Sequence, residues 1–147
     1  MTSFFPDLNV WIALTDVTHV HHPVALRWLN LLSSDSHLVF SRYTQLGFLR
    51  LLTNDVVMGS ETLTVHQAWN TYDRWRRDPR VAFYMEPAGI DDAFREATSP
   101  FASKQAPHVI GDCYLLAFAR ESDSTLVTFD RALFSLARRK HCPAIIP

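Results

Sequence analysis

Apolar residues recur along the chain at two spacings, one typical of helices and the other of short strands. Leu26 and Leu29 lie three positions apart, and Val24 and Trp28 lie four apart, which predicts a helix over Pro23–Leu32. Short apolar runs bounded by polar or turn-forming residues predict strands instead. By this criterion the predicted strands are Ser3–Pro6, Leu38–Phe40, Val81–Met85, Thr125–Phe129 and Ala144–Ile146.

Helical patterns fill the intervals between these strands. Besides Pro23–Leu32, the predicted helices are Asn9–Leu14, Tyr43–Leu52, Thr64–Arg77, Ile90–Ala97, Val109–Glu121 and Arg131–Arg138. Strands separated by helices favour right-handed crossovers and a parallel sheet that is covered on both faces. The sequence therefore predicts an α/β fold: a three-layer α/β/α sandwich with a small central, mainly parallel sheet.

Length and composition narrow the class of protein. A chain of 147 residues without repeats or Gly/Ser-rich linkers predicts a single domain over residues 1–147. Hydrophobic residues make up 48% and charged residues 20%, which argues against a disordered chain. The longest apolar stretch, around Tyr114–Ala119, is far shorter than the roughly twenty residues of a membrane span. The N-terminus has no signal-peptide pattern, so we expect a cytoplasmic protein with no membrane association.

Net charge limits the kind of nucleic-acid contact that we expect. The formal net charge is −1, whereas proteins that coat nucleic acid are normally basic. A nuclease with a local basic patch remains compatible with this balance. The segment Trp69–Arg80 interleaves aromatic residues with arginines, which is typical of a single-stranded RNA surface but commoner in an amphipathic helix.

Aspartates follow the strands whose ends should meet at one edge of the sheet. Asp7 follows the first strand, Asp130 follows the strand Thr125–Phe129, and Asp112 lies near the start of the helix that leads into that strand. In open parallel sheets, ligands bind at the carboxyl ends of the strands. Oxygen-only ligands suit a hard cation such as Mg²⁺ or Mn²⁺, which activates water for attack on a phosphodiester. The alternative for Asp7 and Asp130 is a plain helix N-cap.

Asp112 is less easily explained as a surface residue. Leu115, Leu116 and Ala119 follow it at offsets of three, four and seven, so the carboxylate shares a helix face with apolar side chains. A carboxylate on such a face needs a partner. The alternatives are a metal ion and a structural hydrogen bond.

Four neighbours of the aspartates are further candidates. Asn9 and Thr128 have polar groups that can orient a carboxylate, or water bound to a metal, although an amide cap and an ordinary strand residue are the alternatives. Arg50 and Arg131 are candidates for contact with an RNA phosphate, although a lone arginine is usually a solvated surface charge.

Three blocks of sequence resemble one known family. Asp7–Leu14, Ile110–Ala119 and Thr125–Asp130 are similar, in this order, to the PIN-domain ribonucleases, and more closely to the VapC toxins of bacterial toxin–antitoxin pairs. The resemblance spans almost the whole chain. It implies a PIN-like fold, a Mg²⁺- or Mn²⁺-dependent endoribonuclease that leaves a 5′-phosphate, and metal binding by Asp7, Asp112 and Asp130. It also implies RNA as substrate, an antitoxin protein as partner, and a homodimer.

The chain departs from the family pattern at one position. PIN domains commonly carry a glutamate on the helix after the second strand, but the segment 44–54 holds no acid at all, and the position falls on Gly47 or near Gln45. Gln45 offers a carbonyl oxygen that can orient water, but it carries no charge. Glu86 follows another strand and is a second, weaker substitute.

This departure leaves two other classes of function open. A domain without the glutamate is also compatible with a catalytically weak or inactive module that binds RNA or a partner protein. A third interpretation is a phosphohydrolase that uses the same acids on small phosphorylated substrates. A response of RNA cleavage to metal separates the nuclease from the binding module.

Overall fold

The structure is a computed structural model that describes residues 1–147. Its five strands are β1 (Ser3–Pro6), β2 (His37–Phe40), β3 (Val81–Phe83), β4 (Thr125–Val127) and β5 (Ala144–Ile145). Its eight α-helices are α1 (Leu8–Thr15), α2 (His22–Leu31), α3 (Arg42–Leu52), α4 (Asp55–Met58), α5 (Val65–Arg77), α6 (Ile90–Thr98), α7 (Ile110–Glu121) and α8 (Arg131–Arg139). Three short 3₁₀ helices span Gly59–Glu61, Ser99–Phe101 and Pro107–Val109.

All five strands are parallel and pair in the order β3-β2-β1-β4-β5. The chain builds outward from β1 to β3 on one side, then returns to add β4 and β5 on the other. The strand order therefore reverses between β1 and β4, where helices leave the sheet toward opposite faces. This kind of switch point opens a crevice at the carboxyl ends of the two strands.

Local sequence explains where the principal helices begin. Ser41 and Thr44 form a reciprocal capping box at the start of α3, and Thr64 and Gln67 form another at the start of α5. In each box the backbone N–H groups at the helix start gain side-chain acceptors. These caps fix α3 and α5 immediately after their preceding loops.

Two apolar cores cover the two faces of the sheet. Leu38 and Phe40 point into the core formed with α1, α2, α3 and α5, whereas Val39 points into the core formed with α6, α7 and α8. This alternation follows from the two-residue period of a strand. The first core centres on Trp11, whose ring stacks on Phe40 with centroids 3.9 Å apart.

The structure confirms the predicted fold class, and the sheet is entirely parallel. The predicted strands Val81–Met85 and Thr125–Phe129 are each two residues shorter in the structure, because pairing stops at Phe83 and Val127. The helix α4 and the three 3₁₀ helices are too short for a periodic pattern to reveal them. No helix is long and apolar enough to span a membrane.

The position of Trp11 gives a prediction about stability. Its side chain is 0% exposed, so Trp11→Ala opens a cavity and removes the stacking on Phe40. We expect a loss of about 3–5 kcal/mol in the free energy of unfolding, measured by urea denaturation. The matched control is Trp69→Ala, because Trp69 is 42% exposed and should lose much less. Equal losses for the two variants would contradict this account of the core.

Candidate active site

A small cavity lies at the carboxyl ends of β1 and β4, where the strand order reverses. Its volume is about 140 Å³, and it brings together the three aspartates that the sequence singled out: Asp7, Asp112 and Asp130. The remaining lining residues are Leu8, Asn9, Tyr43, Gly111, Leu115 and Leu133. The three aspartates that the topological argument placed at one edge of the sheet therefore line one cavity at that edge.

Asp7 is fixed from two sides. Its Oδ1 accepts the Val10 backbone N–H at 2.9 Å and caps α1, and its Oδ2 accepts the Thr128 hydroxyl at 2.5 Å. The residue is only 5% exposed. Asp7 is thus an N-cap, as the alternative interpretation stated, and a wall of the cavity at the same time.

Thr128 joins Asp7 to Asp130. Its Oγ1 donates to Asp7 and accepts the backbone N–H of Asp130 at 2.9 Å. Asp130 in turn caps α8, since its Oδ1 accepts the backbone N–H groups of Ala132 and Leu133 at 2.8 and 3.1 Å. One buried hydroxyl therefore links the two aspartates that follow β1 and β4.

Asp112 differs from the other two aspartates because its carboxylate makes no hydrogen bond within the chain. It lies in the first turn of α7 and is half-buried. Burial raises its pKa, and the charge of Asp130 raises it as well, whereas His108 opposes the shift. The structural hydrogen bond that would have explained this residue without a ligand is not formed.

The cavity concentrates negative charge in a partly desolvated place. Burial is the main cause that raises the pKa of Asp7 from 3.8 to about 6, and the charge of Asp130 adds to it. No lysine or arginine lines the cavity. A bound cation would relieve this repulsion, and carboxylate oxygens are the ligands that Mg²⁺ and Mn²⁺ prefer.

The carboxylates do not form a closed metal cage. No three His, Cys, Asp or Glu side chains are arranged closely enough to hold an ion among them. Mg²⁺ normally keeps several waters and uses one or two carboxylates, so an open cavity lined by aspartates still fits such an ion.

The predicted neighbours of the aspartates do not all line the cavity. Asn9 lines the cavity and is exposed. Arg50 lies instead beside Trp69 in a separate surface depression. Arg131 follows Asp130 at the start of α8 and is exposed, but it does not line the cavity.

Gln45 is not brought to the cavity. It is 7% exposed, and its Oε1 accepts a hydrogen bond from the Arg42 guanidinium, whose carbon lies 4.7 Å from the centre of the Phe83 ring. Because Gln45 does not line the cavity, its predicted role in orienting water there has no support from the geometry. Glu86 also lies outside the lining and accepts the Tyr114 hydroxyl at 2.6 Å.

Sequence reasoning missed Tyr43 as a cavity residue. It lies in the first turn of α3, directly after β2, so the same rule about strand ends would have pointed to it. The search for acids alone passed over its phenol.

The aromatic residues in Trp69–Arg80 fit the interpretation as an amphipathic helix. Tyr72 is buried in the first core, and Trp75 packs against that core.

Comparison with known proteins identifies the family. The sequence model of the PIN domain matches residues 4–139. Ribonuclease VapC41 of Mycobacterium tuberculosis H37Rv is 39% identical over 132 residues, which cover 86% of this chain and 88% of the relative. The chain belongs to the VapC family of PIN-domain proteins. Ribonuclease VapC39 of the same strain is 31% identical over 135 residues, with the same coverage of both chains.

Solved structures share the fold of this VapC-family chain at low sequence identity. VapBC2 of Rickettsia felis, bound to a DNA fragment from the promoter, matches with a TM-score of 0.73, 14% identity and coverage of 99% and 98% of the two chains. VapC20 of Mycobacterium tuberculosis, a toxin that cleaves the sarcin–ricin loop, matches with a TM-score of 0.63, 18% identity and coverage of 90% and 93%. At these identities the likeness concerns the fold.

The raised pKa of Asp7 predicts a dependence of stability on pH. The unfolded carboxyl loses its proton near pH 3.8, but the folded one keeps it to about pH 6. Between these values the folded state binds the extra proton, so stability falls as pH rises. We expect Asp7→Asn, which retains a capping amide, to be more stable than the unsubstituted protein by up to about 3 kcal/mol above pH 6, with little difference near pH 4.

Urea denaturation across pH 4–8, monitored by tryptophan fluorescence in the presence of a chelator, measures this difference in stability. A gain in stability that does not change with pH would show that burial of the Asp7 charge is not its cause.

Proposed function

We propose that this chain is a Mg²⁺- or Mn²⁺-dependent endoribonuclease and the toxin component of a toxin–antitoxin pair. The observation that carries the proposal is the convergence of Asp7, Asp112 and Asp130 on one cavity at the switch point of the sheet. Family membership supports it, since the curated relatives at 39% and 31% identity are ribonucleases by name.

In this proposal Asp7 and Asp112 would hold the metal ion, and Asp130 would reach it directly or through a water. When bound, the ion supplies charge neutralisation at the phosphodiester and lowers the pKa of an attacking water. Asp7 contributes a carboxylate already oriented by Val10 N–H and Thr128, so little ordering is required of it when substrate binds. Asp112, with no hydrogen bond inside the chain, keeps both oxygens available for the metal or for a water.

The remaining polar residues position these groups. Thr128 is 0% exposed, so it cannot reach the substrate, and we assign it the role of holding Asp7 and Asp130. Asn9 lines the cavity with an exposed amide that can donate to substrate or water. We give Gln45 no direct part, because it does not line the cavity.

An antitoxin partner is part of the proposal. The VapBC complexes of Rickettsia felis and of nontypeable Haemophilus influenzae contain chains with the fold of this protein. We also propose a homodimer, as the resemblance implies. Light scattering of the purified chain, alone and co-purified with a candidate antitoxin, tests both assemblies.

Replacement of Asp112 tests the site directly. We expect Asp112→Asn to abolish metal-dependent cleavage of an RNA panel while the thermal unfolding midpoint does not fall below that of the unsubstituted protein. The reason is that the change removes a charge at the cavity without breaking a hydrogen bond. The matched control is Asp91→Asn, since Asp91 is an exposed aspartate on α6 that pairs with Arg95. Cleavage is compared with Mg²⁺, with Mn²⁺ and with chelator.

Two outcomes would contradict the proposal in different ways. Full activity of Asp112→Asn would refute the assignment of the site. Binding of RNA without cleavage, with either metal, would favour the module that only binds RNA. Hydrolysis of nucleotides or phosphate esters without cleavage of RNA would favour the phosphohydrolase.

Thr128 gives a second test through pH. Its hydroxyl lowers the pKa of Asp7, so Thr128→Val should raise that pKa further. We expect the acidic limb of the kcat/KM profile for RNA cleavage to move to higher pH, whereas Thr128→Ser, which retains a hydroxyl, should keep the original profile. An unchanged limb in Thr128→Val would contradict the role assigned to this hydrogen bond.

A further inference from the structure

Tyr43 is an uncharged hydrogen-bond donor in the wall of the acidic cavity. Its side chain lines the same cavity as the three aspartates and is 40% exposed. Its hydroxyl makes no hydrogen bond within the chain, so it is available to a ligand. Among the lining side chains, only Tyr43 and Asn9 donate hydrogen bonds when the aspartates are ionised.

The backbone of α7 approaches the Tyr43 hydroxyl closely. A Cβ atom built on Gly111 would lie 2.6 Å from Tyr43 Oη and 3.8 Å from Cζ. The hydroxyl therefore lies against the residue that precedes Asp112, in space that only a glycine leaves free. Any larger side chain at position 111 would displace it.

Tyr114 supports the ring of Tyr43 from α7. The two ring centroids lie 4.9 Å apart at an interplanar angle of 46°. Tyr114 is itself fixed, because its hydroxyl donates to Glu86 at 2.6 Å and its ring packs edge-on against Phe94. This packing reduces the conformational freedom that Tyr43 would lose when it binds a ligand.

The chemistry of the cavity indicates what Tyr43 would contact. Three carboxylates repel a phosphodiester and cannot donate hydrogen bonds to it when ionised. A phenol donates a hydrogen bond without adding negative charge, and hydrogen bonds to charged acceptors are the stronger ones. A phosphate oxygen that enters this cavity can therefore accept a hydrogen bond from the hydroxyl of Tyr43.

We propose that the Tyr43 hydroxyl donates a hydrogen bond to a non-bridging oxygen of the RNA phosphodiester in the aspartate cavity, and that Gly111 provides the space for it. Tyr43 is thus a substrate-contacting residue. The proposal rests on the proposed function insofar as RNA is the ligand of the cavity.

Tyr43→Phe tests the hydroxyl without removing the ring. We expect the Kd for a fluorescein-labelled single-stranded RNA, measured by fluorescence anisotropy with Ca²⁺ as a stand-in cation, to rise about tenfold. We expect kcat/KM for cleavage with Mg²⁺ to fall by a similar factor, with the same dependence on metal concentration. Tyr43→Leu, which also removes the ring, should lose little more if the hydroxyl carries the contact.

Tyr84→Phe is the matched control. Its hydroxyl bonds to His37 and Ser3, at the starts of β2 and β1 and outside the cavity, so binding and cleavage should be unchanged. Gly111→Ala should weaken binding in the native background. In the Tyr43→Phe background it should cost little more, because the atom that it displaces is absent.

The outcomes separate this proposal from the proposed function. If the native chain cleaves RNA and Tyr43→Phe binds and cleaves it equally well, the proposed Tyr43 contact is wrong. The proposed nuclease activity is then not contradicted. If the native chain binds RNA without cleaving it, the nuclease is wrong and the ratio of Kd values alone decides the Tyr43 contact. Additive losses for Gly111→Ala and Tyr43→Phe would overturn the role of Gly111. A native chain that binds no RNA would overturn both proposals.

Discussion

The arrangement of the site depends on one buried hydrogen bond, from the Thr128 hydroxyl to the Asp7 carboxylate. It joins the ends of two neighbouring parallel strands, and the same hydroxyl accepts the backbone N–H of Asp130. Burial of a carboxylate is unfavourable unless it is hydrogen-bonded, and Asp7 satisfies this condition with Thr128 on one oxygen and the start of α1 on the other. The cavity is therefore held open by groups that also cap the adjoining helices.

The topology of the sheet explains why these groups meet. Because β1 and β4 are neighbours although about 120 residues separate them, side chains from both ends of the chain reach one crevice. Helix α7 then brings Asp112 to the same edge, since it must begin there to return to the start of β4. The resulting concentration of carboxylates raises the pKa of both Asp7 and Asp112. In the absence of a cation this repulsion destabilises the folded protein, and it therefore favours binding of a cation.

Helix α3 contributes a polar side chain to the cavity, although it contains no acidic residue. Gln45 turns away toward Arg42, while Tyr43 occupies the wall of the cavity. Glu86 reaches this region only through Tyr114, against whose ring Tyr43 packs. The α3 side of the cavity thus contributes a phenol, which donates a hydrogen bond, where a carboxylate would have added a further negative charge.

The sequence by itself determined the alternation of strands and helices, the parallel sheet and the three aspartates, because period, capping residues and strand ends are local features. It did not determine that Thr128 would join Asp7 to Asp130, that Gln45 would bond to Arg42, or that Tyr43 would lie against Gly111. Each of these contacts depends on the rotation of a side chain about its own backbone and on the distance between elements remote in sequence. Only the packing of α3 and α7 against the sheet fixed those quantities.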